Sequence, residues 1–125
     1  MTTIRTGTDL AAVEDVVAGI TAHGERYLSR VFTARERADC NDDPERLAAR
    51  FAGKEAVLKL LRPAPDDAVL PTDVAVVLDT AGRPVVELSG RAAELAAALG
   101  CGHVAVSLSH ERGLAIATAV ALAER

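Results

Sequence analysis

Aromatic side chains are nearly missing from this chain: its 125 residues include no tryptophan, one tyrosine and two phenylalanines. Tyr27, Phe32 and Phe51 cannot fill a core by themselves, so Ala, Val and Leu must build it. Such small side chains bury little area each, and part of the stability is expected to come from subunit association. A basic surplus is missing too. Fourteen lysines and arginines against 18 acids leave a net charge of −4, which argues against nucleic acid as a partner, because phosphate-backbone binding needs a basic face. No apolar run approaches the ~20 residues that span a bilayer, and Arg5 and Asp9 interrupt the stretch where a secretory signal would be apolar. No membrane partner is expected. The only cysteines, Cys40 and Cys101, fit neither a zinc spacing nor a disulfide framework, so two reduced thiols in a cytoplasmic protein are expected. The phosphate-binding patterns GxxxxGKS/T and GxGxxG are absent as well. The length allows a single domain, residues 1–125.

The remaining sequence divides into short elements. Thr2 to Thr6 reads as a first strand ending at Gly7 and Thr8. Leu10, Val13, Val17 and Ile20 recur at helical spacing, and Gly19 and Gly24 predict a break between two short helices. Thr33 with Glu36 three residues on forms a capping box and starts a small helix. Asp43 as N-cap with Pro44 at the first helical position starts a longer one, which Pro63 and Pro65 stop near Leu61. Asp73–Asp79 and Val85–Leu88 read as strands about the turn from Thr80 to Pro84. Arg91–Leu99 reads as a helix closed by Gly100. Val104–Ser109 and Leu114–Leu122 read as strands of a hairpin, joined by the polar loop from His110 to Gly113. The expected class is α+β, with helices packed on an antiparallel sheet.

Arg50 to Lys59, RFAGKEAVLK, carries the most chemistry. Leu47, Phe51, Leu58 and Leu61 form an apolar stripe on that helix. Beside it, Ala48 and Ala52 leave space into which Glu55 and Lys59 point. As an exposed pair one turn apart, Glu55 and Lys59 would contribute only ~0.3 kcal/mol. Gly53 costs ~1 kcal/mol in mid-helix relative to alanine, and so hints at a close approach. Asp9 has two readings: an N-cap for the following helix, or one of two carboxylates that with Glu55 would suit Mg²⁺, a cation that takes few protein ligands and fills its shell with water and phosphate oxygens. The SLSH run, Ser107 to His110, is no nucleophile pair, because adjacent strand positions point to opposite faces. His23 and His103 read as surface residues.

Gly7-Thr-Asp-Leu10, Phe32-Thr-Ala-Arg-Glu36, the RFAGKEAVLK helix, Gly82-Arg-Pro84 and Val106-Ser-Leu-Ser-His-Glu111 occur together in an order and spacing that resembles the holo-acyl-carrier-protein synthases, the short bacterial 4′-phosphopantetheinyl transferases. The resemblance spans nearly the whole chain. It implies Mg²⁺-dependent transfer of the phosphopantetheine arm of coenzyme A to a serine of an apo acyl carrier protein. It also implies a homotrimer with its sites at the subunit interfaces. On that resemblance Asp9 and Glu55 are the metal ligands, and Lys59 neutralises charge on the leaving phosphate. Arg50, Lys54, Ser109 and His110 would contact the coenzyme A phosphates, and Gly82, Arg83 and Pro84 would form part of the adenine pocket. The serine proton would pass to a carboxylate or to a metal-bound water. Asp15, Arg26, Arg30 and Phe51 fall where the carrier protein would dock.

Some positions depart from the pattern. Asp15 stands where the family usually has a basic residue, Gly53 replaces an alanine, Arg62-Pro63 replaces a glycine, and Pro71-Thr72 stands in place of a usual tryptophan. None removes a catalytic group. A non-catalytic trimeric relative that only binds coenzyme A or a carrier is the competing reading, and the joint presence of Asp9, Glu55, Lys59 and His110 argues against it. An enzyme of other coenzyme A chemistry would need a nucleophile that neither Cys40 nor Cys101 supplies.

Overall fold

The computed structural model describes residues 1–124; the last residue of the expected domain, Arg125, lies outside the described residues. Strand β1 (Thr2–Ala12) leads into helices α1 (Val13–His23), α2 (Glu25–Val31), α3 (Ala34–Cys40) and the long α4 (Pro44–Leu61). A hairpin of β2 (Val74–Leu78) and β3 (Pro84–Leu88), helix α5 (Gly90–Leu99) and a second hairpin of β4 (Cys101–Glu111) and β5 (Leu114–Glu124) complete the chain. The main sheet has the order β1-β5-β4, all antiparallel, and β2-β3 forms a separate two-stranded sheet. This is the expected α+β class. Among the described residues no helix is long and apolar enough to cross a membrane.

Local signals held where the chemistry is local. Thr33 and Glu36 form a reciprocal capping box on α3, and Asp43 caps α4 with Pro44 inside the first turn. Helix α4 ends at Leu61, with Arg62 left-handed at φ 51° ahead of Pro63.

Three expectations need correction. The first strand does not stop near Thr6: it pairs residue for residue with β5 from Thr2↔Glu124 to Ala12↔Leu114. Leu10 is therefore in a strand, α1 starts at Val13, and Asp9 is not an N-cap. Eleven ladder positions outweigh a local helical spacing. Second, α1 runs through Gly19 and breaks only at Gly24. Gly19 instead makes room, since a Cβ there would lie 2.5 Å from the Tyr27 ring. Third, the last hairpin turns on two residues, Arg112 at φ 53° and Gly113 at φ 77°, the left-handed pair of a tight turn. His110 and Glu111 thus belong to β4, opposite Ala115 and Leu114.

The core lies between α4 and the main sheet and is built from alanine. Ala48, Ala49, Ala52 and Ala56 of α4 are buried together with Ala115, Ala117, Ala119, Ala121 and Ala123 of β5. The space expected beside Ala48 and Ala52 is filled: neither exposes any surface. Leu47 and Leu61 of the expected stripe are buried, whereas Phe51 and Leu58 are half-buried at its margin. The opposite face of the sheet is uncovered in the single chain, and Leu10, Leu114, Ile116, Val120 and Leu122 are exposed there.

Candidate active site

Strand β1 crosses α4 closely enough to bring a strand carboxylate to a helix carboxylate. Alternation puts Arg5, Gly7, Asp9 and Ala11 on the helix-facing side of β1. Arg5 Nε donates to the Leu60 carbonyl at 2.9 Å, near the end of α4. At Gly7 the two backbones nearly touch. A Cβ there would lie on the Ala56 carbonyl oxygen and 2.8 Å from the Leu60 nitrogen. Two residues on, Asp9 meets the Glu55–Lys59 turn. The glycine two positions before the aspartate thus has a physical reason: only the missing side chain lets the strand lie that low.

At this crossing Lys59 Nζ donates to Asp9 Oδ1 and to the Thr8 carbonyl, both at 3.0 Å. The Lys59 side chain is 57% exposed and the Asp9 side chain 16%. Glu55 is half-buried, and burial first, then the Asp9 charge, pushes its carboxyl above the usual range, with Lys59 and Lys54 opposing. Two carboxylates and one ammonium therefore lie near one another at this crossing. No cluster of three or more His, Cys, Asp or Glu residues able to hold a metal occurs among the described residues. Two neighbouring carboxylates, one of which raises the pKa of the other, fit a hard divalent cation that keeps water and phosphate oxygens as its other ligands.

Lys54 does not belong with these groups, although it precedes Glu55 in sequence. Its side chain is 3% exposed, and Nζ donates to Glu36 Oε1 at 2.7 Å and to the Val74 carbonyl. Glu36, fully buried, also accepts from the Thr33 and Val76 nitrogens. One residue along a helix is a rotation of about 100°, which turns Lys54 inward to join α3, α4 and β2. It is not a coenzyme A contact on this geometry. Gly53 serves the same packing: a Cβ there would press on Val76 Cγ2 at 3.0 Å and Leu108 Cδ2 at 3.2 Å. The close approach it signalled is by core side chains.

Arg50 is 8% exposed, and its Nε is buried without a hydrogen-bond partner. An unpaired buried guanidinium nitrogen is costly and calls for an anion. Ser109 and His110 line a cleft of about 250 Å³ with Leu10, Glu111, Leu114, Ala115 and Ile116. Ser109 pairs with Ile116 on the uncovered face, while Leu108 pairs with Ala117 on the helix side. Ser109 and Asp9 therefore sit on opposite faces of one sheet and are not brought together within one chain. Gly82 and Arg83 lie in the exposed turn of the β2–β3 hairpin, with Gly82 at φ 79° and Arg83 3.6 Å from Asp79, and half-buried Pro84 opens β3 opposite Leu78.

Arg26 and Arg30 are exposed and line a second cleft, of about 150 Å³, with His23, Tyr27 and Val31. Asp15 is exposed one helical turn before Gly19, over which the Tyr27 ring lies. Burial first and then Asp15 push the Tyr27 phenol up. Phe51 instead packs its half-buried ring against the core. Both cysteines are free and buried, and burial pushes the Cys40 thiol up to about 11, as expected for an inert thiol.

Residues 5–119 match a family profile described as the 4′-phosphopantetheinyl transferase superfamily. The chain is 44% identical to the holo-acyl-carrier-protein synthase of Chloroflexus aggregans, over 92% of both chains. It is 45% identical to that of Chloroflexus aurantiacus, over 94% of this chain and 96% of the other. Among solved structures, the Chronobacterium ammoniagenes ACPS–CoA complex aligns with a TM-score of 0.85 at 28% identity, covering 98% of this chain and 99% of that one. With its paired carboxylates and lysine carried on the matched residues, the chain belongs to the holo-acyl-carrier-protein synthase family and is a 4′-phosphopantetheinyl transferase.

Proposed function

We propose that the enzyme transfers the 4′-phosphopantetheine arm of coenzyme A to a serine of an apo acyl carrier protein. The serine oxygen forms a bond to the β-phosphorus and gives up its proton. The pyrophosphate P–O bond breaks, and its electron pair leaves with adenosine 3′,5′-bisphosphate. The observation that carries this reading is the meeting of Asp9, Glu55 and Lys59 where β1 crosses α4. Such a transfer needs chiefly positioning and charge neutralisation. Asp9 and Glu55 would hold Mg²⁺, which when bound neutralises and orients the pyrophosphate oxygens. Lys59, whose side chain is largely exposed, would meet the charge that develops on the leaving phosphate. Arg50, with its unpaired Nε, and Ser109 and His110 in their cleft would take further phosphate oxygens, and the Gly82–Pro84 turn the adenine. A non-catalytic relative that binds coenzyme A or a carrier without turnover would have no use for the charges grouped at Asp9. Incubating the enzyme with coenzyme A, Mg²⁺ and a panel of apo carrier proteins should add one phosphopantetheine arm to its carrier by mass spectrometry. No mass gain on any carrier counts against the reading.

We further propose that the enzyme is a homotrimer whose sites lie at subunit interfaces, each drawing residues from neighbouring chains. The supporting features are the exposed apolar face of β5 and the placement of Ser109 on that face, opposite Asp9. Burying Ile116, Val120 and Leu122 between copies would remove a patch that a monomer rarely leaves open. Mixed Asp9→Asn and Ser109→Ala chains, each impaired alone, should recover part of the activity, because some sites then draw one intact residue from each chain. A fully active monomer by light scattering contradicts this.

Carrier docking is assigned to the cleft between Arg26 and Arg30, with Asp15 beside it. A carboxylate at that rim repels an acidic helix and slows association. Asp15→Arg should raise kcat/KM for an acidic carrier several-fold at low salt. The gain should fade near 0.15 M salt, where the screening length falls to about 8 Å. An unchanged kcat/KM at low salt would place Asp15 outside the contact.

A further inference from the structure

Lys59 does more at the crossing than face outward toward a phosphate. Its ammonium sits in a cradle of two oxygens, Asp9 Oδ1 and the Thr8 carbonyl, each at 3.0 Å. Its charge also reaches Glu55, one helical turn back, and offsets part of what burial and Asp9 do to that carboxyl. The lysine thus already serves as a cation for the two carboxylates that would hold a metal. An ammonium and a divalent ion held by one carboxylate repel each other over a few ångströms, so each weakens the other's binding there.

We propose that Lys59 and a divalent cation compete for the Asp9 carboxylate, and that a bound polyphosphate relieves the competition by offering the ammonium another anion. This rests on the reading of Asp9 and Glu55 as metal ligands. The cation then binds the free enzyme weakly and tightens when the pyrophosphate arrives; by reciprocity the pyrophosphate binds better once the cation is present. The Lys59 side chain is 57% exposed, and exposed pairs are weak. The competition is therefore a bias and not a block, and it sets the order of assembly without closing the site.

Mn²⁺ titrations followed by the paramagnetic signal of the free ion test this without turnover. Against the wild-type enzyme with no nucleotide, Lys59→Met should bind Mn²⁺ about fivefold more tightly, the scale of one exposed ion pair. Lys59→Arg, which keeps the charge, should stay near wild type. In the Asp9→Asn background the gain from Lys59→Met should shrink, since the carboxylate competed for is gone and only the weaker influence on Glu55 remains. Equal or weaker Mn²⁺ binding by Lys59→Met overturns the competition while leaving the metal site standing. Lys59→Arg binding as tightly as Lys59→Met also overturns it, by assigning the effect to shape. Failure of every form to bind Mn²⁺, even with coenzyme A added, overturns the metal reading itself.

Discussion

Replacing Glu55 with glutamine is expected to abolish transfer and, at neutral pH, to raise the melting temperature. The two effects have one cause. Glu55 is half-buried beside Asp9, and burial followed by that neighbouring charge pushes its carboxyl above its ordinary value of 4.5. For a carboxyl with a raised folded-state pKa, the stabilising contribution is fully present below the unfolded value. It is lost as the pH rises through the folded value. At pH 7 the native protein therefore carries an ionised group it would rather protonate. Glutamine keeps the shape and removes that charge, so thermal unfolding should occur at a temperature equal to or above that of wild type, and the wild-type deficit should shrink as the pH is lowered toward 4.5. The same charge is half of the proposed metal site. Turnover should fall at least about a hundredfold, the scale of losing one group aimed at transition-state charge. A Glu55→Gln enzyme that turns over like wild type would sink the assignment. One that melts well below wild type would show that the carboxylate holds the fold together.

Gly7→Ala should damage stability and activity together. The new Cβ would fall on the Ala56 carbonyl oxygen and 2.8 Å from the Leu60 nitrogen. Both are backbone atoms inside an intact helix, so neither can yield as a side-chain tip would. Strand and helix must separate, and overpacking of this kind costs about 3 kcal/mol. For a domain of this size that is a fall of roughly 10 °C in melting temperature. Asp9 stands two residues along the same face and would move away from Glu55 and Lys59, so activity should be lost even well below the melting point. Differential scanning calorimetry and a rate measured at low temperature separate the two losses. A Gly7→Ala enzyme with a wild-type melting point and rate would mean that β1 and α4 do not cross as described.

How much of this was legible in the sequence follows from how local each cause is. The α3 capping box, the Asp43-Pro44 start of α4 and the β2–β3 hairpin depend on neighbours a few residues apart, and all were readable. The length of β1 was not, because its partner β5 lies at the other end of the chain. Glu36 gave the signal of a cap and nothing more, yet it is the buried anion that claims Lys54. A lysine next to Glu55 in sequence looked like part of the phosphate site; only the rotation of α4 shows it turned inward. The grouping of Asp9 with Glu55 was legible as a likeness of motif, whereas the salt bridge from Lys59 to Asp9 and the reason for Gly7 needed the helix beneath the strand.

The alternation along β5 also governs how this protein can change over evolutionary time. Alanines occupy every second position from Ala115 to Ala123, and the residues between them face outward. Strand side chains repeat every two residues, so one inserted or deleted residue exchanges the faces of everything beyond it. Such a slip would drive Ile116, Val120 and Leu122 into a gap sized for methyl groups. It would also leave the uncovered face with alanines alone. A single-codon insertion within β5 would therefore destroy this packing in one step.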